Sequence, residues 1–257
     1  MQPSGHSMYR ATTNPSPFST RNARPSGRAL VTGGASGIGA ALVSRLRAEG
    51  FDVESLDLVT GFDVTDPEAW EDTGPVDIAC LNAGVLGGPS DPAELTLDGY
   101  RRALGVNVDG VVLGVRRLAR VMPAGGRIVC TASLAGLTAV PDDPVYALTK
   151  HAVVGFVRSV ALPLSERGIS INAVCPGFAD TAMVAGTARE ALESVGFPLL
   201  TPAEVAEAAW IALTSGETGH AWVVQPGRPP LDFRFPTLPG PRADGERSVG
   251  MPPPLSA

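Results

Sequence analysis

The sequence predicts an α/β fold: a doubly wound parallel sheet with helices on both faces, in a single domain. Short apolar, β-branched runs alternate with longer segments of helical spacing, the pattern of a parallel sheet buried under helices. Hydrophobic residues make up 44% of the 257 and charged residues 18%, the balance of a globular body. Such a chain hides roughly three quarters of its unfolded surface, so neither disulfides nor metals are needed to hold it together.

Taken in order, a strand over 29–32 leads into a glycine-rich turn and a helix over 38–49. The second strand spans 53–58. Only Val59, Thr60 and Gly61 then precede the Phe62-Asp63-Val64 run, whereas a parallel crossover ordinarily takes a dozen or more residues. The crossover helix is therefore expected to be missing and the third strand to be reduced to a vestige at the sheet edge. The stretch 67–75 leaves room for a short helix before the strand over 76–82. A helix over 97–122, a strand over 128–131 and a long helix over 145–166 follow. Pro163 is expected to bend that helix or end it early. A strand over 169–174, a helix over 202–213 and a strand over 221–224 complete the pattern. No internal repeat is present.

Half of the 24 prolines lie in residues 1–27 and 228–257. These are expected to be a flexible N-terminal tail and a proline-rich C-terminal extension around a body spanning 28–227. The body carries a net charge of −10, against +3 and +1 for the ends, so it would repel a phosphate backbone and no nucleic-acid partner is expected. The N-terminal end has arginines and no acids, but Pro15, Pro17 and Pro25 interrupt any amphipathic targeting helix. No run approaches the roughly 20 uninterrupted apolar residues of a membrane span, and no apolar secretory block is present. A soluble cytoplasmic protein without a membrane partner is expected. Cys80, Cys130 and Cys175 are odd in number, far apart and set in apolar runs, so they read as reduced core thiols and no metal site is expected.

Thr32-Gly33-Gly34-Ala35-Ser36-Gly37-Ile38-Gly39 follows a strand and opens a helix, placing backbone N–H groups and the positive helix end where a pyrophosphate could sit. Its Gly33, Gly37 and Gly39 differ in spacing from G-x-G-x-x-G but serve the same physical ends. Eighteen residues after Gly39, Asp57 ends the second strand, near the separation at which a carboxylate meets the adenosine ribose hydroxyls. A 2′-phosphate would face this anion, and neither Ser36 nor Leu58 offers a cation, so NAD is expected over NADP. The alternative is that Asp57 only caps a turn. Tyr146 and Lys150 lie four apart on a helical segment and project from one face. Lys150 is the only lysine beside 19 arginines. A compact ammonium can approach a phenol and favour phenolate, lowering a tyrosine from its usual pKa of about 10.

Thr32 to Gly39, Asp63, Asn82-Ala83-Gly84, Asn107, Ser133, Tyr146-Ala147-Leu148-Thr149-Lys150 and Pro176-Gly177 through Thr181 resemble, in order and spacing, the short-chain dehydrogenase/reductase family. The resemblance covers about residues 28–225, and the glycine spacing is similar to that of its compact, non-extended branch. It implies a Rossmann-type sheet and NAD(H)-dependent hydride transfer between a secondary alcohol or ketone and nicotinamide. Tyr146 would be the general acid/base, Ser133 would hold the substrate oxygen, Lys150 would bind the nicotinamide ribose and lower the Tyr146 pKa, and Asn107 would hold a relay water. Gly33, Ser36, Gly37, Ile38 and Gly39 would flank the pyrophosphate and ribose. Asp63 and Val64 would contact adenine, Asn82 with Ala83 and Gly84 would line the ribose, and Val174, Pro176, Gly177 and Thr181 would seat the carboxamide. Homodimers or homotetramers would form through the helices holding Asn107 and Tyr146.

Leu134, Leu137, Val140, Phe178, Met183 and Val184 could form an apolar pocket, favouring a hydrophobic ketone or alcohol over a charged sugar phosphate, or could be ordinary core. Residues 178–200 are expected to close over substrate, with Gly186 and Gly196 as points of freedom. His151 is expected to pack or face solvent, and His220 has no catalytic partner in sequence. Phe233-Arg234-Phe235 could anchor the extension on a neighbouring subunit or lie in a loose linker. A nucleotide-sensing or scaffold protein that kept the fold for binding stands as the alternative function. Dehydration or epimerisation with retained NAD is disfavoured by the glycine spacing.

Overall fold

The computed structural model describes residues 27–237 and the strand pair at 242–243 and 246–247. The expected N-terminal tail falls outside them except for Gly27, as does most of the C-terminal extension. Six parallel strands form the sheet: β1 (Arg28–Thr32), β2 (Asp52–Leu56), β3 (Ile78–Leu81), β4 (Arg127–Thr131), β5 (Ser170–Pro176) and β6 (Ala221–Val224). The spatial order is β2-β1-β3-β4-β5-β6, and a short antiparallel β7 (Leu231–Asp232) adds beside β6. The order reverses at β1, where β2 and β3 lie on either side, so the carboxyl ends of these strands form the topological switch point of the sheet.

Period-two alternation within each strand sorts the core into two layers. Leu30, Leu81, Ile128, Cys130, Ile171 and Cys175 face one side, where Val115 and Leu118 of α4 (Gly110–Val121) and Val153 and Val157 of α5 (Pro144–Ser165) cover them. Val31, Ile78, Cys80, Val129 and Val174 face the other, under α1 (Gly37–Ala48) and α7 (Pro202–Thr214). All three cysteines are free and buried, as expected of core thiols. By length and composition alone α5 could cross a membrane, yet residues such as Val153, Val157 and Leu164 are packed into the core.

The 62–64 run forms no strand, so β2 is the sheet edge and the expected vestige is absent. Asp57 caps a 3-10 turn (Leu58–Thr60), and Gly61, at φ 89°, reverses the chain. Asp63 Oδ1 then accepts from the Thr65 N–H and hydroxyl, both at 2.8 Å, in an Asx-type turn. This bend drops Phe62 edge-on against Trp70, 5.1 Å between centroids, and buries Val64. Trp70 closes the five-residue α2 (Pro67–Glu71) and donates from Nε1 to the Val64 carbonyl at 3.0 Å. A Cβ on Gly114 would stand 2.8 Å from the Trp70 ring, so α4 needs glycine there. One indole plugs the space that a crossover helix would cover.

The long 97–122 helix is three pieces in continuous succession: α3 (Leu97–Leu104), a π-helical turn (Gly105–Asp109) and α4. α5 ends at Ser165, two residues beyond Pro163, so the proline sits in the last turn. The sheet continues past Gly227, and in the Phe233-Arg234-Phe235 run the two rings turn inward while Arg234 is exposed, so the run is not a loose linker. Phe233 and Phe235 stack edge-on at 4.9 Å against the protein's own core, and the Arg158 guanidinium lies 3.7 Å from the Phe235 ring centre. His220 Nδ1 pairs with Asp232 at 2.9 Å, giving this histidine a structural partner.

Candidate active site

β1 delivers the chain to the glycine turn, and the turn depends on its glycines. Gly33 and Gly37 have φ of 64° and 51°, and a Cβ on Gly39 would overlap the Gly33 carbonyl oxygen. Ser36 stands at the N-cap of α1 but makes no side-chain cap bond, and the first turn carries no acid. The leading N–H groups of α1 are therefore left for an anion, and the donor set fits the pyrophosphate of a dinucleotide. Thr181 leans over the turn, with its methyl 3.1 Å from where a Gly37 Cβ would be.

Asp57 meets the turn from β2: Oδ2 accepts from Ala35 N–H at 3.0 Å and Oδ1 from Val59 N–H at 3.2 Å. It caps the 3-10 turn, as the turn-cap reading expected, and borders the glycine turn at once. Asp63 is exposed nearby. Val64 is not available to adenine through its side chain, which is buried against Gly110, and its carbonyl is taken by Trp70. The bend forced by Asp63 turns it inward.

Asn82 ties the turn to the centre of the sheet. Its N–H donates to Thr32 Oγ1 at 2.8 Å, its Nδ2 to the Thr32 carbonyl at 3.1 Å, and its Oδ1 accepts from Thr131 Oγ1 at 3.0 Å. Ala83 N–H also reaches Thr32 Oγ1, at 3.1 Å. The Thr131 carbonyl in turn accepts from Lys150 Nζ at 2.9 Å. A Cβ on Gly84 would lie 3.4 Å from both Lys150 Nζ and Asn107 Oδ1, so all three meet at one point.

Lys150 projects from α5 one turn after Tyr146, with Nζ 5.4 Å from the phenol ring centre. Ser133 caps the short turn Leu134–Gly136 beyond β4, donates weakly to the Pro176 carbonyl at 3.5 Å and lies near enough to the Tyr146 phenol to pull its pKa down. Gly177 follows β5, with its N–H on the Val224 carbonyl at 3.0 Å. Asn107, Ser133, Tyr146 and Lys150 thus converge at the carboxyl ends of β3, β4 and β5, linked to the glycine turn through Asn82 and Thr131.

Burial sets the protonation of the pair. It pushes Lys150 down from 10.5 to about 8, opposed by the nearby thiols of Cys175 and Cys130. It pushes Tyr146 up to about 12, opposed by the Ser133 hydroxyl and reinforced by Asp143. The lowering of Tyr146 expected from Lys150 is not what the structure shows. The ammonium turns toward the Thr131 carbonyl, and loss of water around the phenol outweighs its pull.

Two contributors escaped the sequence reading. Asp143 caps α5, accepting from Tyr146 N–H and Gly87 N–H at 2.8 Å each, and so joins the loop after β3 to the start of the helix. An Asp-Pro pair opening an apolar run was the signal that could have found it. Thr149 lies between Tyr146 and Lys150 and bonds to Asn107 at 3.0 Å. Residues 178–200 carry α6 (Gly186–Ser194), which buries none of its residues and lies between Gly186 and Gly196, at φ 58° and 65°. Arg189 ties α6 to Asp180 at 2.6 Å, and Phe178 stacks edge-on with Phe197 at 5.8 Å.

The family model described as Enoyl-(Acyl carrier protein) reductase matches residues 59–227. Levodione reductase of Leifsonia aquatica is 31% identical over 193 residues, which cover 63% of this chain and 72% of that protein. 3beta-hydroxysteroid dehydrogenase 2 of Eggerthella lenta is 30% identical over 232 residues, 78% of this chain and 82% of that protein. A short chain dehydrogenase from Burkholderia cenocepacia, solved in complex with NADP, aligns at a TM-score of 0.70 with 32% identity, covering 80% of this chain and 99% of that one. Sequence match, sheet order and site geometry lead to one conclusion: the chain belongs to the short-chain dehydrogenase/reductase family.

Proposed function

We propose that the protein is an NAD(H)-dependent oxidoreductase that interconverts a small hydrophobic secondary alcohol and its ketone. The observation that carries this is the convergence of Ser133, Tyr146 and Lys150 at the carboxyl edge, coupled through Thr131 and Asn82 to a glycine turn with uncapped N–H groups. The nicotinamide supplies the hydride acceptor or donor. The chain's own residues do the rest. Gly33, Ser36, Gly37, Ile38 and Gly39 hold the pyrophosphate, Asn82, Ala83, Gly84 and Lys150 the ribose, and Pro176, Gly177 and Thr181 the carboxamide side. Ser133 orients the substrate oxygen. Tyr146, neutral at pH 7 and moved further from ionisation by burial, donates its proton to that oxygen in reduction and must first lose it for oxidation.

The preference for NAD rests on charge. Asp57, Asp63 and Asp66 line the connection after β2, and residues 57–66 contain no base, so a 2′-phosphate would meet only anions. The Burkholderia cenocepacia relative was solved with NADP, so this chain's charge pattern alone supports the preference, and Asp57 is its test. Charge also bears on substrate. The segments that follow β3, β4 and β5 at their carboxyl ends carry Asp91, Glu94, Asp142, Asp143, Asp180, Glu190 and Glu193, and Arg189 among them is already paired with Asp180 and Glu193. Leu86, Phe178, Met183 and Phe197 are exposed on the same segments. Such a rim favours an uncharged, apolar molecule over an anionic one. The names of the two curated relatives, a levodione reductase and a 3beta-hydroxysteroid dehydrogenase, agree with that.

The reading places the enzyme in the cytoplasm as a homodimer or homotetramer formed through α4 and α5, where Leu148 and Leu162 are exposed on α5. Light scattering distinguishes those states. The direct test follows absorbance at the reduced-nicotinamide band with NAD and a panel of secondary alcohols, and with NADH and the matching ketones. Turnover supports the reading; NAD binding without turnover across the panel would instead mark a sensor or scaffold.

A further inference from the structure

Thr149 carries an inference that rests on this oxidoreductase reading. It is completely buried, one residue before Lys150 on α5. Its hydroxyl donates to the Tyr146 carbonyl at 2.8 Å, which uses its single proton. Toward Asn107 it can therefore only accept, and Asn107 Nδ2 donates to it at 3.0 Å. The other Asn107 bonds go to one residue: Nδ2 donates to the Val85 carbonyl at 2.9 Å and Oδ1 accepts from Val85 N–H at 2.8 Å. The carboxamide, 1% exposed within the π-helical turn, is thus oriented without ambiguity between α5 and the loop after β3. Its oxygen side faces the gap at Gly84 that Lys150 Nζ also lines.

We propose that Thr149 is a positioning residue: its hydroxyl fixes the Asn107 carboxamide against Lys150 and thereby sets the path by which Tyr146 recovers or releases its proton. A hydroxyl is required rather than a shape, because a β-branched apolar residue of equal size would leave the Asn107 N–H buried without an acceptor.

The test compares Thr149→Val, Thr149→Ser and Thr149→Ala. In ketone reduction with NADH, Thr149→Val is expected to lower kcat on the order of 10- to 100-fold, as small misplacements at reacting groups do. NADH affinity by fluorescence should be unchanged, and the solvent deuterium isotope effect on kcat should rise as proton movement becomes limiting. Thr149→Ser should restore both. A cycle with Asn107→Ala should be non-additive, the double variant matching Asn107→Ala alone. Should Thr149→Val fail to fold, Thr149→Ala removes the same oxygen without adding bulk. Exchange of the Asn107 side-chain amide protons, read by NMR, needs no turnover and should quicken in the Val and Ala variants but not in Ser. Unchanged kcat and isotope effect in folded Thr149→Val, additive effects in the cycle, or unaltered amide exchange would each overturn the proposal. Absence of turnover in the wild-type protein would defeat the oxidoreductase reading instead, while the exchange measurement still decides whether Thr149 holds Asn107.

Discussion

Replacing Lys150 by Met tests the energetics of the buried ammonium. Lys150 is 3% exposed and is pushed from 10.5 to about 8 by loss of water. At roughly 1.4 kcal/mol per pH unit, holding the charge inside the fold costs on the order of 3 kcal/mol below pH 8. The folded value lies below the unfolded one, so the cost is complete below about pH 8, shrinks as pH rises and is gone near 10.5. Met has similar volume and no charge, but it leaves the Thr131 carbonyl without its 2.9 Å donor, a loss of about 1 to 3 kcal/mol. The loss offsets part or all of the relief at pH 7, where Lys150→Met should be as stable as wild type or more so by up to about 2 kcal/mol. The difference between the proteins must then move against the variant by roughly 1.4 kcal/mol per pH unit from pH 8 upward. Comparing them at each pH cancels Tyr146 and Cys80, and burial keeps Cys130 and Cys175, which feel Lys150, protonated in the fold up to pH 10 in either protein. Urea unfolding between pH 7 and 10 measures it. A difference that stays flat across that range would refute the buried, charge-strained lysine.

Gly39→Ala should abolish NADH binding, read by fluorescence, and destabilise the fold by about 1 to 3 kcal/mol, because its Cβ would overlap the Gly33 carbonyl oxygen. Asp57→Ala should narrow the NAD over NADP ratio of kcat/KM by on the order of tenfold or more, and unchanged selectivity would remove Asp57 from that role. Alcohol oxidation should accelerate from pH 7 toward about 12 as Tyr146 yields its proton, while ketone reduction gains nothing from the same rise; a pH–rate profile checks both signs. Phe235→Ala should lower stability by about 2 to 4 kcal/mol in thermal unfolding, since the ring packs on the core under Arg158.

Much of this molecule was legible because its signals are local. Alternating strand and helix runs predicted the sheet, and the four-residue spacing of Tyr146 and Lys150 places both on one face of α5 whatever surrounds them. The short link after Asp57 announced a missing helix. It could not announce that Phe62 and Val64 turn inward, because that depends on Trp70 reaching them past Gly114. The docking of Phe235 beneath Arg158 was hidden for the same reason: those residues are far apart in sequence. Tyr146 shows a different limit. Its spacing from Lys150 suggested a lowered pKa, yet the sign follows from burial, which no spacing encodes.

The most direct measurement pairs wild type with Tyr146→Phe, assayed with NADH and a ketone that wild type reduces. The phenol oxygen should be indispensable: the variant should bind NADH with unchanged affinity and show no turnover above background. A phenylalanine variant that reduces the ketone at a rate near wild type would contradict the account at its centre.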